Sequence, residues 1–247
     1  MASSSSFGHP AGLRALSWGH DQDNEDPLRE PRTLETIYLK AEETEYARRQ
    51  KFMISPFVEK TMRWGFKFED YMTAGAESDL DEVLNTFEEF DVMYKSVLGD
   101  MSIVYGAEMD AVLEGSRKPF RPEDFVEFKT TKEMQHERQR INFARFKLIK
   151  WWCQSFLVGI PSIICGYRDN NGFVGSVKEL ELKGIPKMTG VDWRPNVCMG
   201  FLKNFFYALK QGLIDTPNVV YNVSCEAPGC DIRVIQTDLD MSHVLPT

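Results

Sequence analysis

Two acidic triplets hold the residue types best suited to chemistry: Glu108-Met109-Asp110, inside SIVYGAEMDAV, and Glu127-Phe128-Lys129, inside PEDFVEFKTT. Both segments are rich in Val, Ile, Phe and Tyr, which reads as strand. Side chains alternate across a strand, so Glu108 and Asp110 share one face, as do Glu127 and Lys129. Ala107, Met109, Ala111, Val126 and Phe128 fall on the other face and suit a core. If the strands pair, three carboxylates and one ammonium converge. Carboxylates that close repel one another unless a proton or cation lies between them. An all-oxygen donor set suits a hard divalent ion such as Mg²⁺ or Mn²⁺. The same residues also fit a solvated hairpin face carrying a cross-strand ion pair.

The segment SPFVEKTMRWGFKFEDYM reads as a helix, with Ser55 as N-cap and Pro56 at the first helical position. At helical spacing Val58, Met62, Gly65, Glu69 and Met72 share one side. Glu69 then either joins the acidic patch or lies at the stripe's edge and reaches water. The order Asp110 … Glu127-x-Lys129 matches the Asp … (Asp/Glu)-x-Lys pattern of the metal-dependent nuclease fold of many restriction enzymes. Phosphodiester cleavage needs a neutralised transition state, a water of lowered pKa and a stabilised leaving oxygen. Two cations about 3.5–4 Å apart supply all three, and a lysine beside them adds charge without competing as a ligand.

The stretches WGFKFEDYM, GAEMDAV, EFKTTKEM, KLIKWWCQSFLVGIPSIICGYRDNNGF and WRPNVCMGF, in this order, resemble the decapping exoribonuclease family, DXO. The resemblance runs from about Thr36 to near the C-terminus. It implies a Mg²⁺- or Mn²⁺-dependent hydrolase of RNA 5′ ends, using two ions. Such enzymes remove incomplete or NAD caps, release pyrophosphate from 5′-triphosphates and degrade RNA 5′ to 3′. It further implies a nuclear or cytoplasmic setting in RNA quality control and a 5′–3′ exoribonuclease as partner. By the same resemblance Glu69 is the helix-borne metal-site glutamate. Glu108 and Asp110 are the Glu-hydrophobic-Asp pair, and Glu127 and Lys129 the Glu-hydrophobic-Lys pair. The Phe128 carbonyl is an extra metal ligand, and Gln154, in KWWCQSF, is the site glutamine. Glu127, Lys129, Asp110 and Gln154 are the implied catalytic set. Glu69, Glu108, Lys129 and Gln154 are the implied contacts to substrate.

The family also carries an Arg-Gly-hydrophobic-hydrophobic-Thr-Lys element about sixty residues before the helix glutamate. Here that place falls near His9, in SSSSFGHPAGLRALSWGHDQDNEDP, where no such stretch occurs, and the chain stops at HVLPT. The expectation is a shortened form with reduced activity. Two alternatives stand beside the hydrolase: a non-catalytic homologue that regulates a 5′–3′ exoribonuclease, and a DNA-acting nuclease of the same fold.

At 247 residues, 43% hydrophobic and 12% aromatic, the chain can bury one core. Residues 1–30, rich in Ser, Gly, Pro and Asp, are expected to be disordered, with a single domain over 31–247. The opening Met-Ala-Ser-Ser-Ser-Ser lacks the pattern of a secretory signal. The longest uncharged run, Trp151 to Tyr167, is broken by Gly159 and Pro161. It reads as a helix ending near Leu157, a turn, and a core strand from Ser162 to Tyr167, not as a membrane span. Cys153, Cys165 and Cys198 read as core fillers. Cys225, Cys230 and His243 offer only three loosely spaced ligands, too few for a structural zinc.

A net charge of −8 argues against nucleic-acid binding by the whole surface. Yet seven bases (Lys129, Lys132, Arg138, Arg140, Arg145, Lys147 and Lys150) stand against three acids between Glu127 and Lys150. The reverse holds from Glu77 to Asp91, which reads as an acidic helix. The basic segment follows the Glu-x-Lys strand, where a phosphate backbone would run; a solvated helix face has the same pattern. The elements predict an α+β domain: a mixed, twisted sheet flanked by helices, as in the PD-(D/E)XK-type nuclease fold.

Overall fold

A computed structural model describes residues 56–74, 90–213, 218–226 and 231–239, together with two short strand segments at 13–15 and 33–34. Its architecture is α+β. A five-stranded mixed sheet has the order β1 (Leu13–Ala15), β5 (Ala111–Leu113), β6 (Phe125–Lys132), β7 (Ser162–Arg168) and β8 (Val174–Glu181). Only β6 and β7 run parallel in it. A three-stranded sheet joins β2 (Thr33–Leu34), β3 (Asp91–Leu98) and β4 (Met101–Glu108). β9 (Tyr221–Glu226) and β10 (Asp231–Gln236) form a separate antiparallel pair. The helices are α1 (Pro56–Ala74), α2 (Glu137–Asn142), α3 (Leu148–Val158) and α4 (Pro195–Leu213), with a π-turn, Phe143–Lys147, between α2 and α3.

The β6–β7 pair forms the centre. Phe125, Val126, Glu127 and Phe128 are all buried, because helices cover both faces. On one face, Leu148, Trp151 and Trp152 of α3 pack against Ile163 and Cys165. On the other, Phe68 of α1 meets Phe128 edge-on, with ring centroids 6.0 Å apart. The Phe68 ring lies so close over Gly166 that an added Cβ would stand 2.7 Å from it. Gly166→Ala is therefore expected to cost about 1–3 kcal/mol through overpacking, read as a lower melting temperature; an unchanged one would show that α1 shifts freely. α3 stops where Gly159 adopts a left-handed φ of 76° and its amide donates to Phe156.

Several expectations change. Glu108 and Asp110 do not lie on one strand: β4 ends at Glu108, and Asp110 precedes β5 in the other sheet. The chain crosses between sheets because Met109 is drawn into the core. It is 3% exposed, its amide donates to the Phe90 carbonyl, and its sulfur accepts from the Tyr94 hydroxyl. Thus β6 pairs with β5 and not with β4. Met62, placed on the inward stripe of α1, is 48% exposed, whereas Phe68 and Met72 are buried against the sheet. Most of the acidic segment lies outside the described residues; Phe90 precedes β3, and Asp91 opens it as strand, not helix. Within residues 1–30, Leu13–Ala15 pairs with β5 as an edge strand, and the rest, like Ser55, lies outside the described residues.

Candidate metal and catalytic centre

The acidic residues named from the sequence come from α1, the end of β4, the crossing that follows it and β6. Glu127 and Lys129 project from the same face of β6, where alternation places them. Asp110 is carried on the crossing between the two sheets, and its Oδ2 accepts the Phe128 amide hydrogen at 2.6 Å. Glu69 comes from α1, with Gly65 one turn away; a Cβ there would stand 4.0 Å from Glu69 Oε1. Glu108, at the end of β4, is solvent-exposed and lies near enough to raise the Glu69 pKa. Gln154 on α3 donates from Nε2 to Glu127 Oε1 at 2.9 Å, and the Lys129 ammonium pairs with the same oxygen.

Glu127 is only 1% exposed, so the solvated-face reading does not hold for it. A buried carboxylate needs compensation, which Lys129 and Gln154 supply at one oxygen. Asp110 Oδ1 and Glu127 Oε2 make no hydrogen bond among the described residues. Burial, then the charges of Glu127 and Glu69, push the Asp110 carboxyl well above the usual range; Lys129 and the Phe128 amide oppose this. Burial likewise pushes Glu69 up to about 7, Lys129 opposing and Glu108 and Glu127 adding to the rise. Burial favours the neutral form of Lys129, but Glu127, Asp110 and Glu69 outweigh it and raise its pKa. The cluster thus holds more negative charge than its own lysine balances.

Among the described residues, no three Asp, Glu, His or Cys side chains are gathered into a ready ligand cage. The donor chemistry nevertheless fits a hard cation: the two carboxylate oxygens without hydrogen bonds belong to neighbouring residues whose charges repel. Phe128 enters the site through its amide, which orients Asp110. His136 sits exposed at the start of α2, Cys225 is exposed, and Cys230 and His243 lie outside the described residues. Six of the seven bases of the Glu127–Lys150 stretch are solvent-exposed, Lys129 being the exception. Lys147, one of the bases named from the sequence, donates to the Thr131 hydroxyl of β6 at 3.3 Å.

The raised carboxyl pKa values set a pH dependence. A folded-state value above the unfolded one means that the folded protein holds the proton more tightly. The stabilisation from Glu69 is therefore present below about 4.5 and is lost as pH rises through about 7; Asp110 acts in the same sense. The metal-free protein should lose melting temperature across that window, and Glu69→Gln should flatten the fall. A profile equally steep in both proteins would remove Glu69 as the cause.

A family model described as RAI1 like PD-(D/E)XK nuclease matches residues 29–247. A Xenopus laevis decapping and exoribonuclease protein is 33% identical over 220 residues, 86% of this chain and 54% of the relative. The chain therefore spans about half the length of this relative. The structure of S. pombe Rai1 in complex with 3'-FADP is 28% identical with a TM-score of 0.54, covering 70% of this chain and 56% of that one. Scheffersomyces stipitis Rai1, in complex with (3'-NADP)+ and calcium ion, has a TM-score of 0.62 at 22% identity; it covers 82% of this chain and 59% of that one and supports the fold alone. With the match extending over most of its length, the chain belongs to the RAI1-like PD-(D/E)XK nuclease family.

Proposed function

We propose that this chain is a divalent-metal-dependent hydrolase acting on RNA 5′ ends. Its substrates would be incomplete or NAD caps, 5′-triphosphates and, in the 5′ to 3′ direction, the RNA body. The observation that carries the reading is the buried Glu127 carboxylate, shared by Lys129 and Gln154 beside the repelling carboxyls of Asp110 and Glu69. Asp110, Glu127, Glu69, Glu108 and the Phe128 carbonyl would hold Mg²⁺ or Mn²⁺, as a pair of ions. When bound, such ions polarise a phosphoryl oxygen and lower the pKa of a water.

The remaining work falls to the chain itself. The Phe128 amide fixes Asp110. Gln154 donates to one Glu127 oxygen, and the other makes no hydrogen bond among the described residues. Lys129 stays charged because its carboxylate neighbours outweigh burial, so it can stabilise charge that develops on the phosphate. A basic, exposed surface follows β6, where the RNA body would run. A nuclear setting and a 5′–3′ exoribonuclease partner are part of the same proposal. No helix among the described residues is long and apolar enough to cross a membrane.

The test is turnover with Mn²⁺ on NAD-capped RNA, 5′-triphosphate RNA and single-stranded DNA bearing a 5′-phosphate. Metal-dependent release from the RNA 5′ ends, abolished by chelation, is expected. Faster cleavage of the DNA would favour a DNA nuclease, and turnover of none would leave a regulatory homologue.

A further inference from the structure

Between α2 and α3 the chain makes the π-turn Phe143–Lys147, which holds one residue more than an α-helical turn. The Leu148 amide, which an α-helix would give to the Ala144 carbonyl, donates instead to the Phe143 carbonyl. Ala144 is 2% exposed, so its carbonyl needs a partner within the protein. It accepts the indole N–H of Trp193 at 3.0 Å. The loop that carries Trp193 into α4 grips the same turn at two further points. Asp192 Oδ2 pairs with Arg145 Nε at 2.5 Å. Gly190, at a φ of 89°, lies so close that an added Cβ would stand 3.2 Å from the Ile141 Cα and 3.4 Å from the Ala144 Cβ.

The extra residue lets both halves of this helical segment face one core. Phe143 and Trp151 meet edge-on, ring centroids 5.2 Å apart, in the cluster that also holds Ala144, Leu148 and Trp152. In an unbroken α-helix their directions would differ by about 80°, and the added residue brings them to within about 20°. Closing the π-turn into a plain helix would rotate α3 by about 100° relative to Phe143. Gln154 would then swing away from Glu127 Oε1, to which it donates at 2.9 Å. We propose that Trp193 is a positioning residue for the candidate centre: by occupying the carbonyl that the π-turn frees, it holds the rotation of α3 that aims Gln154 at Glu127. Trp151 and Trp152 also hold α3 in the core, so loss of the clamp should mix the two settings and not replace one by the other. The effect of Trp193 on turnover rests on the hydrolase reading; its effect on Gln154 does not.

Trp193→Phe removes the N–H and keeps a ring beside Trp152, whose centroid lies 5.5 Å from that of Trp193. The Gln154 side-chain amide is followed by ¹H–¹⁵N spectra of the metal-free protein and assigned by its loss in Gln154→Met. It should resonate downfield in the unmodified protein, because it donates to a carboxylate, and move toward the position of a free glutamine in Trp193→Phe. With Mn²⁺ and 5′-triphosphate RNA, kcat should fall roughly tenfold, as for loss of one hydrogen bond to a charged group, with KM little changed. Gln154→Met should lose a similar factor, and the double variant no more than either alone, since the two residues act through one contact. An unmoved Gln154 resonance in folded Trp193→Phe, or additive losses in the double variant, would overturn the positioning role while leaving the hydrolase reading standing. Should Trp193→Phe fail to fold, Gly190→Ala, which pushes the same loop off the π-turn, is read by the same two outcomes. Absence of turnover in the unmodified protein would end the hydrolase reading, and the spectra would still decide the role of Trp193.

Discussion

Asp110→Asn should remove most of the thermal stabilisation expected from Mn²⁺ or Mg²⁺ in the unmodified protein. An ion that binds only the folded state stabilises it by mass action, about 2.7 kcal/mol at a hundred times its dissociation constant. Asp110 is central because its carboxyl is repelled by both Glu127 and Glu69, the mark of a position that a cation relieves. An asparagine keeps the shape, and its side-chain oxygen still accepts the Phe128 amide, so the fold survives. Without metal the variant should be at least as stable as the parent at pH 7, since a repelling charge has gone. RNA hydrolysis should fall by two to three orders of magnitude, roughly as for loss of one strong electrostatic group. A parent melting curve indifferent to Mn²⁺ would sink the metal site outright.

Lys129→Gln should cost on the order of a hundredfold or more in kcat, with a much smaller change in RNA affinity. The ammonium lies on the buried Glu127 and is kept protonated by three carboxylates. Its charge is thus fixed before substrate arrives and needs no reorganisation as charge builds on the phosphate. Glu127 retains Gln154 as a donor in the variant, which limits collateral damage to the strand. Should the whole loss appear as weaker binding, Lys129 is a phosphate contact and not a catalytic group.

Much of this site could be read from residue order, because strand alternation and the Glu-x-Lys spacing are local. The α3–turn–β7 unit was equally legible: Gly159 and Pro161 punctuate an otherwise apolar run, and the structure breaks there. β3 and β8 went unread although each has a turn signal. Gly99-Asp100 closes the β3–β4 hairpin with Gly99 at a φ of 68°, and Asn171-Gly172 stands before β8. The division of Glu108 and Asp110 between two sheets had no local signal. It depends on Met109 finding a pocket built by Tyr94 and Phe125, which are remote in sequence. The orientation of α1 was misjudged for a related reason. Gly166 admits Phe68 only once β7 is in place, and that contact turns Met62 outward.

The crossing at Met109 also sets how the molecule opens. Glu108 and Asp110 terminate separate hydrogen-bonded ladders, so a cation held by both would act as a rivet between two foldons. Stripped of the ion, the β3–β4 ladder is held to the larger sheet by its core contacts and by the Tyr105 hydroxyl on the Leu157 carbonyl. Its amides should then exchange with solvent deuterium faster than those of β6 and β7. Adding Mn²⁺ should slow β3 and β4 toward the central pair, fusing two opening events into one.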